Sequence, residues 1–336
     1  MKTAVLFSIS LLMLLTGCRT LDRGPQMVNL RGTIFGTYYS ITYFDEEGRD
    51  YQTDIDSLLN EFNQSLSFYE EESLLSRLNR NETRQVDEYF ETVFNRSMEI
   101  SAETGGAFDV TVFPLIDAYG FGLSERTTMT KERRDSLMEI VGYEKVYLEN
   151  RQLVKEDERV QLDFNAIAKG YAADVVGRFL ESKEVKTYLV EIGGDLVAKG
   201  TKPDGSQWRI GLEIPAAEED APQDWEYYVE VIDMGLATSG DYRRYYEEEG
   251  QRYSHTIDPE TGRPVDHHMM SATVFAPDGM SADGYATAFM VMGVDEAIAF
   301  VEGDEDLEGY FIFESHDDDF EYYASSGLEL LTRDDL

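Results

Sequence analysis

The sequence predicts an α+β fold in which mixed β-sheets pack against helices within one folded domain, residues 31–336. Segments typical of strands and segments typical of helices alternate along the chain without the regular β-α-β period of a doubly wound sheet. No internal repeat or low-complexity region interrupts them. A length of 336 residues with a hydrophobic content of 42% is sufficient to bury a substantial core.

Strands are predicted where β-branched and aromatic residues cluster or alternate, and helices where apolar residues recur three and four positions apart. The first strand is predicted at 33–44, with Gly36 at its centre. Further strands are predicted at 145–148, 152–154, 187–192, 196–200, 208–214, 227–232, 271–276 and 309–314. Helices are predicted at 54–63, 73–78, 88–104, 128–141, 163–180 and 281–292.

The residues before this domain are typical of a targeting segment. Lys2 is followed by an apolar run at 4–15, which is too short to cross a bilayer and fits a secretory signal peptide. The run ends in Leu-Thr-Gly-Cys18, which resembles a bacterial lipobox. We expect a lipoprotein signal peptide at 1–17, lipidation of Cys18, and a tether at 18–30. Ordinary signal cleavage beside an incidental cysteine is the alternative.

Composition excludes two classes of protein. Asp and Glu outnumber Lys and Arg by 67 to 29, which gives a net charge of −38. Because nucleic acids bind to basic surfaces, we expect no nucleic-acid partner. Cys18 is the only cysteine, so the fold cannot depend on a disulfide framework.

The helix predicted at 163–180 combines a structural face with polar residues at its start. Asp163 and Asn165 are predicted to cap its first backbone N–H groups. Lys169 and Gly170 follow, and a helix start with a lysine and a glycine that permits close approach is suited to holding a phosphate. A core helix with an incidental glycine is the alternative. Its apolar residues recur at helical spacing: Phe164, Ile167, Ala168, Tyr171, Ala172, Val175, Val176, Phe179 and Leu180.

Two further places carry side chains suited to chemistry. Asp283 and Thr287 are four residues apart on a predicted helix, so their oxygens lie on one face and suit a hard cation such as Mg²⁺. A carboxylate that merely favours the helix dipole is the alternative there. Asp109 is a carboxylate within an apolar run and therefore needs a partner or a function. His255 beside Asp258 does not indicate a hydrolase, since no G-x-S-x-G motif is present.

Eight segments, taken in order, resemble the ApbE family of periplasmic lipoproteins that act as FAD:protein FMN transferases. They span nearly the whole mature chain, and as a set they are specific. The fold expected from the resemblance is the T-fold-related ApbE architecture. The segments are Thr33–Thr37, Leu66–Leu78, Gly105–Val110, Asp163–Asp174, Glu191–Asp195, Ala237–Tyr242, His255–Pro264 and Ala282–Gly293.

The resemblance implies Mg²⁺-dependent transfer of FMN from FAD to a threonine, or sometimes serine, hydroxyl of a target protein, with release of AMP. It assigns catalytic roles to His255, Lys169 and Asp283, with His255 as the base. The metal ligands would be the Ala166 carbonyl, Asp283 and Thr287. The implied FAD contacts are Phe35, Tyr69, Ala107, Phe108, Asp109, Asp163, Lys169, His255 and Ile257. Phe35 and Phe68 depart from the residues that are usual in the family, which concerns the shape of the flavin pocket.

The resemblance also implies partners and a location. The acceptor is expected to be a subunit of an ion-pumping or other membrane redox complex, and the enzyme is expected to be anchored by lipid on the periplasmic face of a bacterial membrane. Two other functions remain open for the same site. One is a periplasmic FAD pyrophosphatase that yields FMN and AMP, and the other is a non-catalytic flavin-binding lipoprotein.

Overall fold

The computed structural model describes residues 24–124, 127–213, 225–240, 245–248, 251–254, 256–315 and 320–335. Its helices are α1 (Gln52–Leu66), α2 (Leu74–Asn79), α3 (Glu88–Glu103), α4 (Phe113–Ala118), α5 (Lys131–Met138), α6 (Ala168–Ser182), α7 (Gly279–Met292) and α8 (Val294–Val301). Its strands are β1 (Gln26–Ile34), β2 (Thr37–Asp45), β3 (Val146–Glu149), β4 (Gln152–Lys155), β5 (Tyr188–Ile192), β6 (Asp195–Lys199), β7 (Trp208–Glu213), β8 (Trp225–Val231), β9 (Met234–Gly240), β10 (Tyr245–Glu248), β11 (Gln251–Ser254), β12 (Ile257–Asp258), β13 (Arg263–Pro264), β14 (Met269–Ala276), β15 (Glu308–Glu314) and β16 (Phe320–Ala324).

An eight-stranded antiparallel sheet organises the described part of the chain, with the strand order β1-β2-β5-β6-β9-β14-β15-β16. Helices α6 and α7 pack on each other and against β5, β6, β9 and β14. The β7–β8 hairpin contributes Trp208, Leu212 and Val229 to a second apolar cluster with sheet residues such as Leu196 and Phe275. Because both faces of β14 are covered, all eight of its residues are buried.

The first strand predicted from the sequence is in fact a hairpin. Phe35 and Gly36 form a two-residue turn with φ values of 53° and 71°, and Ile34 pairs with Thr37. Positive φ at both central residues is typical of tight hairpins whose twist matches that of their strands. The predicted tether at 18–30 is also too long, because β1 begins at Gln26 and buries Leu30 in the core.

The contact between α6 and α7 depends on two glycines. A Cβ atom added at Gly170 would lie 1.9 Å from the carbonyl oxygen of Gly279, and one added at Gly279 would lie 2.7 Å from the carbonyl oxygen of Gly170. Backbones at this separation leave no room for a side chain. Gly170 in the first turn of α6 therefore lets the two site-bearing helices touch. The interpretation of Gly170 as incidental is excluded by this contact.

A buried carboxylate, Asp174, joins the same two helices. Its Oδ1 accepts a hydrogen bond from Gly279 N–H at 2.8 Å and its Oδ2 accepts one from Met280 N–H at 2.9 Å. Asp278, which caps α7 by accepting from Ser281 N–H at 2.7 Å, carries a second negative charge nearby. Burial first, and then Asp278, raises the pKa of Asp174 from 3.8 to about 7. The folded protein therefore holds a proton there that the unfolded chain releases.

We expect this proton to make stability fall as pH rises. Between about pH 4 and about pH 7 the unfolded chain has lost the Asp174 proton and the folded protein retains it, so the free energy of unfolding decreases through this window. Asp174→Asn should remove that part of the slope when urea unfolding is measured across the window. Asp295→Asn, at an exposed carboxylate in the first turn of α8, is the matched control. Parallel curves for wild type and Asp174→Asn would contradict the prediction.

No helix among the described residues is long and apolar enough to cross a membrane. The apolar run at 4–15 and Cys18 lie outside those residues. The signal peptide, the lipidation and the anchoring therefore stay predictions.

Candidate active site

The segment 163–167, which precedes α6, is an irregular loop and not the first turns of the predicted helix. Helix α6 begins at Ala168, and its N-cap residue, Ile167, makes no side-chain capping bond. Asp163 Oδ1 instead accepts from Asn165 N–H at 2.8 Å, which closes a tight local turn. The predicted capping of the helix by Asp163 and Asn165 is thus wrong. The turn leaves Ala166 half-buried before the helix starts.

The three predicted metal ligands come from two segments that the fold brings together. Thr287 Oγ1 in α7 lies 3.5 Å from the carbonyl oxygen of Ala166 and 3.3 Å from Ser239 Oγ at the end of β9. Asp283 is one helical turn before Thr287, on the same face of α7. It is 3% exposed, and its Oδ2 accepts from Gly170 N–H at 3.1 Å.

Lys169 stands between two buried carboxylates. Its Nζ bonds to Asp195 Oδ2 at the start of β6 and lies 3.9 Å from Asp283 Oδ1. Burial raises the pKa of Asp195 to about 7, with the charge of Asp283 adding to the rise and Lys169 opposing it. Asp195 and Asp283 both contact Lys169, and like charges in a buried site destabilise each other. A cation between or beside the two carboxylates is therefore favoured.

The donor set formed by these residues fits Mg²⁺. A backbone carbonyl, a carboxylate and a hydroxyl are hard oxygen donors, and a set of so few protein ligands leaves positions for water and phosphate oxygens. The described residues contain no group of three or more His, Cys, Asp or Glu side chains suited to a metal. A site for zinc or copper is therefore not formed by the described side chains.

Two other predicted carboxylates, Asp109 and Asp163, lie on loops that a backbone hydrogen bond joins. Asp109 Oδ1 accepts from Thr111 N–H at 2.7 Å and its Oδ2 accepts from Tyr143 N–H at 2.8 Å, so the charge predicted to need a partner is solvated by the backbone. Burial nevertheless raises the pKa of Asp109 and raises that of Asp163 to about 7. Asp163 N–H donates to the Val110 carbonyl at 2.8 Å, which ties the Asp109 loop to the loop before α6.

The remaining predicted flavin contacts are placed in different environments. Tyr69 is 60% exposed, and its ring centroid lies 4.0 Å from that of Phe68. Ala107 is half-buried, whereas Phe108 is fully buried. Ile257 packs into a small cluster with Leu115, Tyr119 and Val141, so its side chain is directed into the protein interior. A contact between FAD and this residue would involve its backbone.

Phe35, the predicted contact in the β1–β2 turn, packs against Phe62 of α1 with ring centroids 5.6 Å apart. His255, the predicted base, lies outside the described residues. The structure thus brings Ala166, Lys169, Asp283 and Thr287 together in one site. The role of His255 stays a prediction.

Sequence reasoning missed two members of this site. Asp195 pairs with Lys169, and Ser239 lies beside Thr287. The signal for Asp195 was a carboxylate directly after a Gly-Gly turn between two apolar strands, which is unusual unless the charge has a partner. Ser239 carried no such signal, because exposed and half-buried hydroxyls are common in strands.

Comparison with known proteins agrees with the resemblance. The ApbE family profile matches residues 35–311, which is most of the chain. The chain belongs to the ApbE family. FAD:protein FMN transferase from Vibrio cholerae is 38% identical over 96% of this chain and 97% of that protein. The protein of the same name from Haemophilus influenzae is 33% identical over 97% of each chain.

Solved structures of ApbE proteins also match the fold. Flavin Transferase ApbE from Vibrio cholerae has a TM-score of 0.80 at 38% identity, over 90% of this chain and 98% of that chain. Pseudomonas stutzeri flavinyl transferase ApbE, in its apo form, has a TM-score of 0.80 at 32% identity, over 90% of this chain and 96% of that chain. The predicted ApbE family membership and α+β ApbE fold are therefore confirmed, and the relatives carry the name of the predicted enzyme class.

Proposed function

We propose that this ApbE-family protein transfers FMN from FAD to a threonine, or serine, hydroxyl of an acceptor protein, with Mg²⁺ and with release of AMP. The observation that supports this most directly is the convergence of Ala166, Asp283 and Thr287 beside Lys169. A basic side chain and a set of oxygen ligands at one point are what a pyrophosphate substrate needs for binding and charge neutralisation.

In the proposed reaction the acceptor hydroxyl oxygen attacks the phosphorus of the FMN moiety. A new O–P bond forms, the bridging P–O bond of the pyrophosphate breaks, and AMP leaves with that bridging oxygen. The hydroxyl proton passes to a base on the enzyme. Phosphoryl transfer of this kind depends mainly on position and on neutralisation of the phosphate oxygens.

The chain's own residues account for the positioning. Lys169 is held by Asp195 so that its ammonium group faces the same point as Asp283. The close contact of Gly170 with Gly279 sets the distance between the helix that carries Lys169 and the helix that carries Asp283 and Thr287. Mg²⁺ held by Ala166, Asp283 and Thr287 would neutralise pyrophosphate charge. The Lys169 ammonium group supplies a second positive charge.

His255 is proposed as the base that accepts the acceptor's hydroxyl proton, since an imidazole titrates near neutral pH. We expect His255→Ala still to bind FAD and to slow transfer by about 100- to 10,000-fold, the usual range for loss of a general base. Single-turnover transfer and FAD titration measure the two effects separately. His268→Ala, at an exposed histidine on the same stretch of chain, is the control. An unchanged single-turnover rate in His255→Ala would rule out the base role.

The acceptor is proposed to be a subunit of an ion-pumping or other membrane redox complex. The protein is proposed to be lipidated at Cys18, after removal of 1–17, and anchored at the periplasmic face of a bacterial membrane. A lipid-anchored enzyme meets a membrane-bound acceptor by diffusion in two dimensions, which is consistent with such a target. Radiolabelled palmitate should enter wild type and not Cys18→Ala.

Co-expression with soluble domains of such subunits, followed by in-gel flavin fluorescence, tests the proposed transfer. A fluorescent band at the mass of one domain that disappears when a threonine of that domain is replaced by alanine identifies that domain as an acceptor of FMN. This domain is the acceptor domain. FMN and AMP released without a labelled protein would instead favour an FAD pyrophosphatase. FAD that stays bound and intact with Mg²⁺ and every domain would favour a flavin-binding protein without catalytic activity.

A further inference from the structure

Among the residues that the structure describes, none pairs with the outer edge of β1. β1 is the terminal strand of the eight-stranded sheet, and its only strand neighbour among the described residues is β2. Because the two-residue turn makes Ile34 and Thr37 a hydrogen-bonded pair, Gly32 also bonds to β2, whereas the N–H and C=O groups of Arg31 and Thr33 point away. No backbone hydrogen bond within the described residues reaches those outward groups.

A groove of about 480 Å³ runs along this edge, between β1 and α1. Gly32 leaves room for the ring of Tyr39 on the groove floor, since a Cβ atom there would lie 2.5 Å from that ring. On its floor Tyr39 donates to Asp56, and Gln52 of α1 donates to the Tyr39 hydroxyl. The groove is lined by Arg31, Gly32, Thr33, Ile34, Tyr39, Gln52, Asp56, Leu59 and Asn60.

The floor of the groove is polar and fixed. The Tyr39 hydroxyl proton is held by Asp56, and burial together with Asp56 raises the pKa of Tyr39 to about 12. Asn60 on the opposite wall is exposed, and its Nδ2 donates to the Asp56 carbonyl at 2.7 Å. An edge strand beside a helix, with a polar groove between them, is an arrangement in which peptides add as an extra strand.

The groove leads to the active site. β1 ends at the Phe35–Gly36 turn, and Thr37 then follows at the start of β2. A Cβ atom at Gly193, in the turn between β5 and β6, would lie 2.8 Å from Thr37 Cγ2 and 3.5 Å from Lys169 Cδ. Thr37 and Lys169 therefore flank the same turn. A chain leaving the groove past Ile34 needs to cross about two or three strand spacings, roughly 10 to 15 Å, which about four extended residues span.

We propose that an extended segment of the acceptor protein binds as a ninth strand on the outer edge of β1, in the groove beside α1, and so leads its hydroxyl residue to Lys169. This inference rests on the proposed transferase function. The outward N–H and C=O groups of Arg31 and Thr33 bind the segment's backbone, and the exposed Arg31 guanidinium complements a carboxylate on it in an otherwise acidic protein. The acceptor's sequence is thus selected at a distance from the reacting atoms.

Two variants of the full chain test this from opposite walls of the groove. Arg31→Pro removes an outward N–H and leaves the bonds of Gly32 and Ile34 to β2; Met27→Pro, at an outward position outside the groove, is its control. Asn60→Trp fills the groove from α1, and its control is Ser57→Trp on the same helix outside the groove. The measurements are kcat and KM for the acceptor domain and the Kd for FAD.

We expect KM for the acceptor domain to rise at least about tenfold in Arg31→Pro, as one or two lost hydrogen bonds would produce, and by a similar factor in Asn60→Trp, because the indole occupies the space of the bound segment. The controls, the kcat at saturating acceptor and the affinity for FAD should stay at wild-type values. Unchanged KM in Asn60→Trp overturns the proposal even if Arg31→Pro fails to fold. If wild type transfers no FMN to any domain, the proposed function itself fails and this docking mode fails with it.

Cross-linking identifies the occupant of the groove. With p-benzoylphenylalanine introduced at position 57, outside the groove on the same helix, the cross-linked product after mixing with the acceptor domain is expected to join position 57 to a segment a few residues from the flavinylated threonine. A product that joins position 57 to residues 1–23 of the chain, or to a second copy of the chain, overturns the proposal.

Discussion

Asp283→Asn is expected to reduce FMN transfer roughly 1,000-fold, which corresponds to about 4 kcal/mol of transition-state stabilisation. The asparagine oxygen can still accept from Gly170 N–H, so the contact that joins α7 to α6 is retained. What is lost is the negative charge that, with Ala166 and Thr287, forms the proposed Mg²⁺ site and that faces Lys169 at 3.9 Å. The effect should therefore appear in the reaction and hardly at all in the melting temperature.

Single-turnover transfer to the acceptor domain over a range of Mg²⁺ concentrations measures this effect. Treatment with EDTA should stop wild-type transfer, and added Mg²⁺ should restore it in wild type but not in the variant. Asp295→Asn, an exposed aspartate at the start of α8, is the matched control and should behave as wild type. Transfer by Asp283→Asn within a few-fold of wild type would show that Asp283 is not a metal ligand.

Gly170→Ala is expected to destabilise the protein by about 3 kcal/mol or more, as overpacking against backbone atoms does. The added methyl would lie 1.9 Å from the carbonyl oxygen of Gly279 and 2.9 Å from Asp283 Cβ. In an isolated helix the same change would be favourable, since alanine has the higher helix propensity. A loss of stability in Gly170→Ala would therefore indicate the clash between α6 and α7, because helix propensity alone would give a gain.

Urea unfolding gives the free energy of unfolding of this variant. Gly24→Ala is the control, because no atom lies within 4 Å of its added Cβ, and its stability should stay within about 0.5 kcal/mol of wild type. A Gly170→Ala protein as stable as wild type would mean that α6 and α7 are further apart than in this structure. Any loss of FMN transfer by folded Gly170→Ala would link the same contact to the site.

Local rules worked where neighbours in sequence decide the structure. The hairpin at 145–154 and the helices near 54–63 and 88–104 are present within a few residues of their predicted bounds. The rules failed where one residue changes the direction of the chain. The pattern at 33–44 predicts Gly36 in the middle of a strand, but the positive φ of Phe35 and Gly36 makes a turn, and a propensity count of the flanking aromatic residues cannot detect that.

The start of α6 shows a second kind of failure. The apolar period from Phe164 onward continues through the loop and the helix, so the sequence pattern has no break at Ala168. Phe164 and Ile167 are buried all the same, because the loop packs into the same core as the helix. The spacing of apolar residues indicates which residues are buried. It does not by itself show where the helical conformation begins.

From the sequence alone, the α+β class and the family could be determined, and candidate site residues could be named, because motifs such as Lys169-Gly170 and the Asp283–Thr287 pair are local. Only the tertiary structure decided how they meet. The carbonyl of Ala166 faces Thr287 across 121 residues of chain, since two glycines let α6 and α7 touch at backbone distance. Lys169 meets Asp195 because α6 also packs against β6. Contact between distant segments depends on packing, and packing is not encoded in any one segment.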